Sequence, residues 1–394
     1  MGSYSQLTIA DYPSFTTKNS YFQELTNFIF LPEDFIKEER KKSTRNKLVW
    51  GDAYENQKGN FTFKGYRQTV SVCKQRLEIF GMTIQKAKKD FPSAKKIALE
   101  EEFYSFPLSK VSFNQYLEEI SDIINKKEIS YDQLYTNLRD SLIAGELGIV
   151  GQSLQSQLYS ILSIVPEDSI VEYNLTEVIN EGWVKEKDAK QIIIEKILVL
   201  TEGKTDVEFI STALKKLYPH LYPYYHFIDF DEYKVESNAS ALVKLVISLA
   251  ASNIKHPIIV LFDNDTTGIM EMKKLKLVPL GDNFKILKLP DLQLAKKYPT
   301  IGPTGIKKMN VNGLACGIEM YLGKDTLTKD GHFIPVHWRA YNEKEKKYQG
   351  DISEKGFVQD SFRQKIQSNS NSDFSTLDLI LKLIFKAFRE KASR

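Results

Sequence analysis

Two short acidic motifs carry the chemistry open to this chain, Glu202-Gly203-Lys204-Thr205-Asp206 and Asp263-Asn264-Asp265. Each follows an apolar run, Ile197-Leu198-Val199-Leu200 before the first and Ile258-Ile259-Val260-Leu261-Phe262 before the second. Such runs fit strands buried in a parallel sheet, and open α/β sheets bind ligands just beyond the carboxyl ends of their strands. Gly203 permits a tight turn, Thr205 and Glu208 have capping-box spacing, and Asp206 then falls in the first turn of the next helix. Asp263 and Asp265, two apart on an extended segment, point the same way. Four carboxylates converging on one crevice repel unless cations neutralise them, and oxygen ligands of this hardness suit Mg²⁺ or Mn²⁺. Ions so held polarise a phosphodiester, acidify an attacking water and stabilise the leaving oxygen. Each motif alone also reads as helix capping, with Asp206 a first-turn acid and Asp263 and Asp265 caps. Both motifs after successive strands favour the metal reading.

The elements that must position these acids are legible as alternating strands and helices. After the first motif come a helix over 206–217, a strand over 224–230, a helix over 239–251, the strand over 257–262 and a fourth strand over 284–289 ended by Pro290. Ile192-Ile193-Ile194 reads as a further strand-like run. This is a Rossmann-like α/β unit with a parallel sheet, followed from about 326 by a loop-rich stretch and an amphipathic helix through Leu377, Leu381 and Phe388. Upstream the pattern is helical. Val70, Cys73, Leu77, Phe80, Ile84, Ala87 and Phe91 mark one long helix that Pro92 ends, and Ser112 with Gln115 and Ser130 with Gln133 form two capping boxes. A strand pair over 5–9 and 14–18 precedes them, followed by the charged stretch 37–47, which reads as a solvated face.

Candidate substrate contacts lie outside the acidic motifs. The segment 298–308 mixes glycine-freed amides with Lys307 and Lys308, suiting either an ordinary turn or a phosphate-approaching loop. His337, Trp338, Arg339, Tyr341 and Tyr348 interleave rings and cations, as surfaces that stack bases and pair phosphates do, and Lys204 stands within the first motif. Asp229, Asp231 and Asp291 follow strand-like runs and could supplement the acids or serve as turn residues.

Composition narrows the class. At 394 residues, two or three domains are expected; 42% hydrophobic and 27% charged residues describe a globular chain. No apolar run is long enough to span a bilayer and the first residues lack the cationic and apolar parts of a signal peptide, so a cytoplasmic protein without membrane attachment is expected. Two cysteines, Cys73 and Cys316, exclude a disulfide framework and a cysteine-rich zinc module. A net charge of +3 is too small to argue nucleic-acid binding by itself.

The segments LVLTEGKTDVEF and IIVLFDNDTTG resemble the two signature motifs of TOPRIM domains, shared by topoisomerases, bacterial primases, OLD-family nucleases and small ribonucleases. The resemblance implies that Glu202 acts in acid/base or metal chemistry, that Asp263 and Asp265 bind metal, and that Asp206 matches an acid of the nuclease-like members. GIEMYLG resembles a helix of nuclease-type relatives, which makes Glu319 a further metal ligand or else a solvated helical glutamate. Over nearly its full length the chain is similar to bacterial HEPN/Toprim-associated proteins, through MGSYSQLTIADYP, FDNDTTG, LAKKYPTIGPTG, VNGLACGIEMYLG, PVHWRAY and YQGDI. That similarity implies a mainly helical HEPN-like domain with a small β element over 1–190, a TOPRIM catalytic domain over 191–325 and an extension over 326–394 packing on it.

The function implied is a Mg²⁺- or Mn²⁺-dependent endonuclease acting on DNA or RNA in anti-phage defence, triggered by a phage product or a partner protein. Catalytic HEPN ribonucleases carry a closely spaced Arg and His on one helix, whereas the first histidine here is His220. The N-terminal region is therefore expected to bind, sense or form a homo-oligomer. A non-hydrolytic, metal-dependent nucleotide or nucleic-acid binding module and a primase-like synthetic activity are the alternatives.

Overall fold

Gln6-Leu7-Thr8-Ile9 alternates polar and apolar residues, and the computed structural model folds this segment and the next as an antiparallel hairpin, β1 (Tyr4–Ile9) and β2 (Tyr12–Lys18), that buries Leu7, Ile9, Tyr12 and Phe15. The structure describes residues 2–51, 57–101, 104–130, 135–230, 232–234, 236–368 and 373–389. The chain divides into two compact units, Met1–Ile194 and Glu195–Arg394.

In the first unit the hairpin is one side of a five-stranded sheet in the order β2-β1-β5-β4-β3, completed by β3 (Phe35–Lys41), β4 (Asn60–Thr69) and β5 (Ile170–Asn174). The small β element expected of a mainly helical region is thus a full antiparallel sheet. β3 hid in a charge run, FIKEERK, because an edge strand needs little apolar surface and charges discourage pairing with other chains. Arg40 there lies 3.5 Å from the centre of the Phe63 ring and 2.8 Å from Glu172 on β5, so part of the run serves the sheet rather than solvent.

The helices differ from expectation in one place. The single long helix is two, Val70–Glu78 and Ile84–Glu100, separated by a turn in which Gly81 adopts φ +88°. Pro92 lies inside the second helix instead of ending it. Its ring costs one backbone hydrogen bond, while Ala87, Phe91, Ala94 and Ala98 keep one face buried on either side of it. Helix Phe113–Lys126 starts at its expected box: Ser112 Oγ accepts the Gln115 N–H (3.2 Å) and Gln115 Oε1 accepts the Ser112 N–H (2.9 Å). The second box, Ser130 with Gln133, has its Gln133 end in 131–134, outside the described residues.

Glu146 gives this unit a pH-dependent weakness. Its Oε1 accepts the Thr16 N–H (2.6 Å), but burial pushes its carboxyl up to about 7. An acid whose folded-state value exceeds its unfolded one favours folding at low pH, and that advantage is lost between the ordinary carboxylate value and about pH 7. Glu146→Gln keeps the acceptor without the charge. It should stabilise the protein by up to about 3 kcal/mol at pH 8 and by little at pH 4, read from urea unfolding at both values.

The second unit is built on β6 (Ile197–Leu200), β7 (Tyr225–Phe227), β8 (Ile258–Phe262) and β10 (Phe284–Lys288), all parallel in the order β10-β8-β6-β7. Ile192-Ile193-Ile194 forms no strand, and Ile193 is exposed. Every residue of β8 is buried, as a central strand covered on both faces requires. One face packs Leu200, Val260 and Phe262 against Leu242, Val246 and Leu275 of helices Ala239–Ala251 and Thr266–Leu275. Helix Lys204–Leu217 lies against helix Ser375–Phe385, and its Phe209 meets Phe362 of helix Lys355–Gln367 edge to face at 5.1 Å. Tyr218 of the short turn after it donates to Asp378 (2.6 Å).

Beyond the parallel sheet, β9 (Asn264–Asp265) pairs with β13 (Ala315–Cys316), and β14 (Thr328–Lys329) with β15 (His332–Phe333). A second sheet, β12-β11-β16-β17, comprises β11 (Tyr298–Gly302), β12 (Gly305–Met309), β16 (Val336–Asn342) and β17 (Lys347–Ile352). The segment 298–308 is therefore a β-hairpin and not a loop, its glycines at the turn. The stretch after 326 is likewise more ordered than its loop-rich composition suggests, because β16 and β17 draw on exposed aromatic and charged residues. No described helix is long and apolar enough to cross a membrane.

Candidate active site

The first motif leaves β6 and turns at once into a helix. Thr201 Oγ1 donates to the Gly203 carbonyl (3.1 Å), Gly203 is the N-cap of Lys204–Leu217, and the Gly203 N–H donates to Asp206 Oδ2 (2.9 Å). The box expected from Thr205 and Glu208 does not form: the helix starts two residues earlier, at Gly203, which has no side chain to cap with, and Glu208 holds Arg363 through two bonds of 2.7 and 2.8 Å. Asp206 is buried as a result.

The second motif leaves β8, the strand paired with β6. The Asp263 N–H donates to Glu202 Oε1 at 2.8 Å, which ties the two motifs together directly. Asp265 caps helix Thr266–Leu275, with Oδ1 accepting the Gly268 N–H (2.6 Å) and Oδ2 accepting from Gln349 Nε2 on β17 (2.7 Å). Gly268 is required by crowding: a Cβ there would lie 2.7 Å from Glu202 Oε1 and 2.7 Å from the Asp263 carbonyl.

Glu319 reaches the same place from a different segment. GIEMYLG forms a single 3₁₀ turn, Ile318–Tyr321, rather than an α-helix, and Glu319 is buried, which excludes the solvated alternative. A Cβ on Gly317 would lie 3.1 Å from Glu319 Oε2 and 3.4 Å from Asp263 Oδ2, so these two carboxylates face one glycine. Gln359 Nε2 donates to Glu319 Oε1 (2.8 Å), and Lys355 Nζ stands 4.0 Å from Glu319 Oε2 and 3.0 Å from Asp351.

The electrostatics follow from that gathering. Burial first, then Asp206, Glu202, Asp265 and Glu319, holds the Asp263 carboxyl well above its ordinary range. Burial likewise raises Glu202 against the lowering effect of the Asp263 N–H, with Asp265, Asp206 and Glu271 adding to the rise. Asp206 and Asp265 are raised by burial too. Burial alone would lower the Lys355 ammonium, yet facing Glu319, Asp351 and Asp263 it is held above its ordinary value. The crevice thus carries excess negative charge with one lysine set among its acids.

Among the described residues, no three His, Cys, Asp or Glu side chains are arranged to hold a metal ion between them. Glu202, Asp206 and Asp265 each spend an oxygen on a backbone N–H. The donor set itself fits a hard divalent cation, being several crowded, raised carboxylates without sulfur or imidazole. Glu271, one turn beyond Gly268 on the same helix, adds a buried Oε2 with no hydrogen-bond partner.

The other anticipated residues are spread more widely. Lys204 is exposed at the start of its helix. Lys307 and Lys308 are exposed on β12, the edge strand on the opposite side of the second sheet from β17. His337 is exposed on β16, and Arg339 Nε pairs with Asp351 (2.6 Å), hence with the ion that also engages Lys355. Asp229 caps a turn through the Glu232 N–H (2.8 Å), and Asp291 pairs with Lys288 (2.8 Å) and accepts from Asn264 (2.9 Å). Asp231 lies outside the described residues. Sequence reasoning missed Gln349, Asp351, Lys355, Gln359 and Glu271. Only Lys355 and Gln359 carried a signal, since a spacing of four sets a cation and an amide on one edge of the helix Lys355–Gln367, whereas Asp351 belongs to β17.

The fold and this crevice define the class: an α/β protein with a carboxylate cluster at the C-terminal edge of an open parallel sheet. Residues 1–196 match the family model described as HEPN/Toprim N-terminal domain 1, and the chain belongs to the HEPN/Toprim-associated proteins. No curated protein and no solved structure matches it.

Proposed function

We propose that the second unit is a TOPRIM-type domain whose crevice hydrolyses nucleic-acid phosphodiesters with Mg²⁺ or Mn²⁺. The observation that carries this reading is the 2.8 Å bond from the Asp263 N–H to Glu202, which joins the acids of two neighbouring parallel strands at the edge where such sheets bind ligands. Membership of a nuclease-like family supports it as well. Asp263, Asp265, Asp206, Glu202 and Glu319 are the residues that would hold the cations. Bound there, the cations would supply charge to the phosphate and an acidified water.

The chain's own groups have separable tasks. Glu202, raised by burial and anchored through one oxygen, is placed to exchange a proton with the attacking or leaving oxygen. Gln349 fixes the Asp265 carboxylate, and Gln359 and Lys355 fix Glu319. Lys355 offers positive charge to a phosphate entering among acids. In this reading the protein would serve in anti-phage defence, as the resemblance implies, and its N-terminal unit, with no histidine before His220, would sense a trigger or dimerise.

Full-length protein should cut labelled DNA or RNA with Mg²⁺ or Mn²⁺ and not in EDTA. Asp263→Ala should lower the rate at least ~100-fold, in line with electrostatic groups worth roughly 3 kcal/mol. An Asp263→Ala protein that cuts as fast as the parent rejects the site. A second reading, a binding module that does not hydrolyse, draws on the engagement of Glu202, Asp206 and Asp265 by amides. Tight, cation-dependent binding without turnover on DNA, RNA and transfer RNA would favour it.

A further inference from the structure

A row of aromatic rings lies on the β16–β17 hairpin, the element whose Gln349 holds Asp265. The Trp338 and Tyr348 rings are 5.7 Å apart, and Tyr348 and Tyr341, cross-strand partners, are 5.1 Å apart. Residues 338 and 341 would face opposite sides of a regular strand. The register shift between Trp338 and Ala340 turns the strand there, so that both rings meet Tyr348. Beneath them Gly350 is kept small, because a Cβ would lie 2.9 Å from the Trp338 ring and 2.9 Å from Val336.

Tyr341 and Tyr348 remain 52% and 50% exposed, so both residues stay open to another partner. The hairpin is fixed to the acidic site and not merely near it. Thr266 Oγ1 donates to the Tyr348 carbonyl (2.7 Å), the Thr267 N–H donates to Gln349 Oε1 (2.9 Å), and Gln349 holds Asp265. Tyr348 thus neighbours in the chain the residue that touches the second motif, with its own ring on the other face of β17, and exposed Lys344, Lys346 and Lys347 surround the turn joining the strands.

We infer that Tyr341 and Tyr348 form a stacking platform for unpaired bases, and that the substrate reaches the carboxylates as a single strand. In a duplex the faces of the bases are already covered by their neighbours, whereas unpaired bases offer theirs to aromatic side chains. The lysines at the turn complement the phosphates of such a strand. The platform deepens the hydrolytic reading above and rests on it for what happens to the strand, but its binding is measurable without hydrolysis.

Binding of a fluorescent 20-nucleotide oligo-dT, an oligo-U of equal length and a blunt duplex is measured by anisotropy in EDTA, using full-length protein. The single strands should bind more tightly than the duplex. Stacking is worth roughly 1–3 kcal/mol per base, so Tyr341→Ala and Tyr348→Ala should each weaken single-strand binding by about 5- to 150-fold. Tyr341→Phe and Tyr348→Phe, which keep the ring, should stay close to the parent. Equal affinity for oligo-dT and oligo-U places recognition in the shared base and phosphate chemistry, as inferred. Duplex binding as tight as single-strand binding overturns the inference, and so does unchanged affinity in both alanine variants. If Asp263→Ala still binds the strands while Tyr348→Ala does not, the platform stands even where the hydrolytic reading fails; the opposite pattern removes the platform alone.

Discussion

Gly268→Ala should inactivate the site although alanine is the better helix former. In an open helix position that exchange gains up to about 1 kcal/mol. At Gly268 the added methyl would meet the Asp263 carbonyl and Glu202 Oε1, each at 2.7 Å, and the first of these is backbone. Glu202 can swing away, but only by giving up the Asp263 N–H that joins the two motifs. The backbone after β8 can yield only by moving Asp263 or loosening the Asp265 cap. Overpacking of this kind costs roughly 1–3 kcal/mol, which outweighs the propensity gain. A loss of cleavage of about 100-fold or more is expected, with a lowered melting temperature. Gly356→Ala is the matching control, since nothing lies within 4 Å of its added Cβ. It should be neutral to slightly stabilising. A Gly268→Ala protein as active and as stable as the parent would show that the contact between helix Thr266–Leu275 and Glu202 is not needed.

The same contact explains what could be read from the sequence and what could not. Strands β6 and β8 were legible because a buried parallel strand must be a short apolar run, and the acids that follow them were legible because the ends of such strands are fixed by the pattern. Glu319 could be suspected from its neighbours, but not its burial, which depends on a 3₁₀ turn brought in by distant chain. Gln349, Lys355 and Gln359 lie more than 80 residues beyond Asp263, and no local periodicity reports that β17 would dock on the second motif. In the first unit, β3 and β5 escaped for a related reason. Edge strands can be charged, and β5 pairs with β4 across a sequence gap filled by helices, so only the folded sheet reveals their partners.

The metal-free protein should lose stability as pH rises through neutrality, and a divalent cation should restore it. Burial, reinforced by neighbouring acids, pushes Asp206 up to about 7 and Glu202 to about 8, and raises Asp263 and Asp265 as well. These acids bind more protons folded than unfolded between the ordinary carboxylate value and about pH 8. Each proton held in excess makes stability fall by about 1.4 kcal/mol per pH unit across that window. Lys355 does not offset the trend there, because its raised value leaves it charged throughout. Melting measured in EDTA should therefore be higher at pH 6 than at pH 8.5. Glu146 contributes to the same fall only up to about pH 7, so the interval from 7 to 8.5 reports the crevice. Asp263→Asn removes one charge and leaves the backbone N–H that Glu202 accepts, so it should be more stable than the parent at pH 8.5 and flatter between 7 and 8.5. Mn²⁺ should raise the parent's melting temperature more at pH 8.5 than at pH 6, where protons compete for the carboxylates, and should do little for Asp263→Asn. A parent that melts at the same temperature at both pH values, or an Asp263→Asn protein less stable than the parent at pH 8.5, would mean that the acids are not held together under strain. The cation would then have no electrostatic debt to relieve, and the crevice would be a site of hydrogen bonding alone.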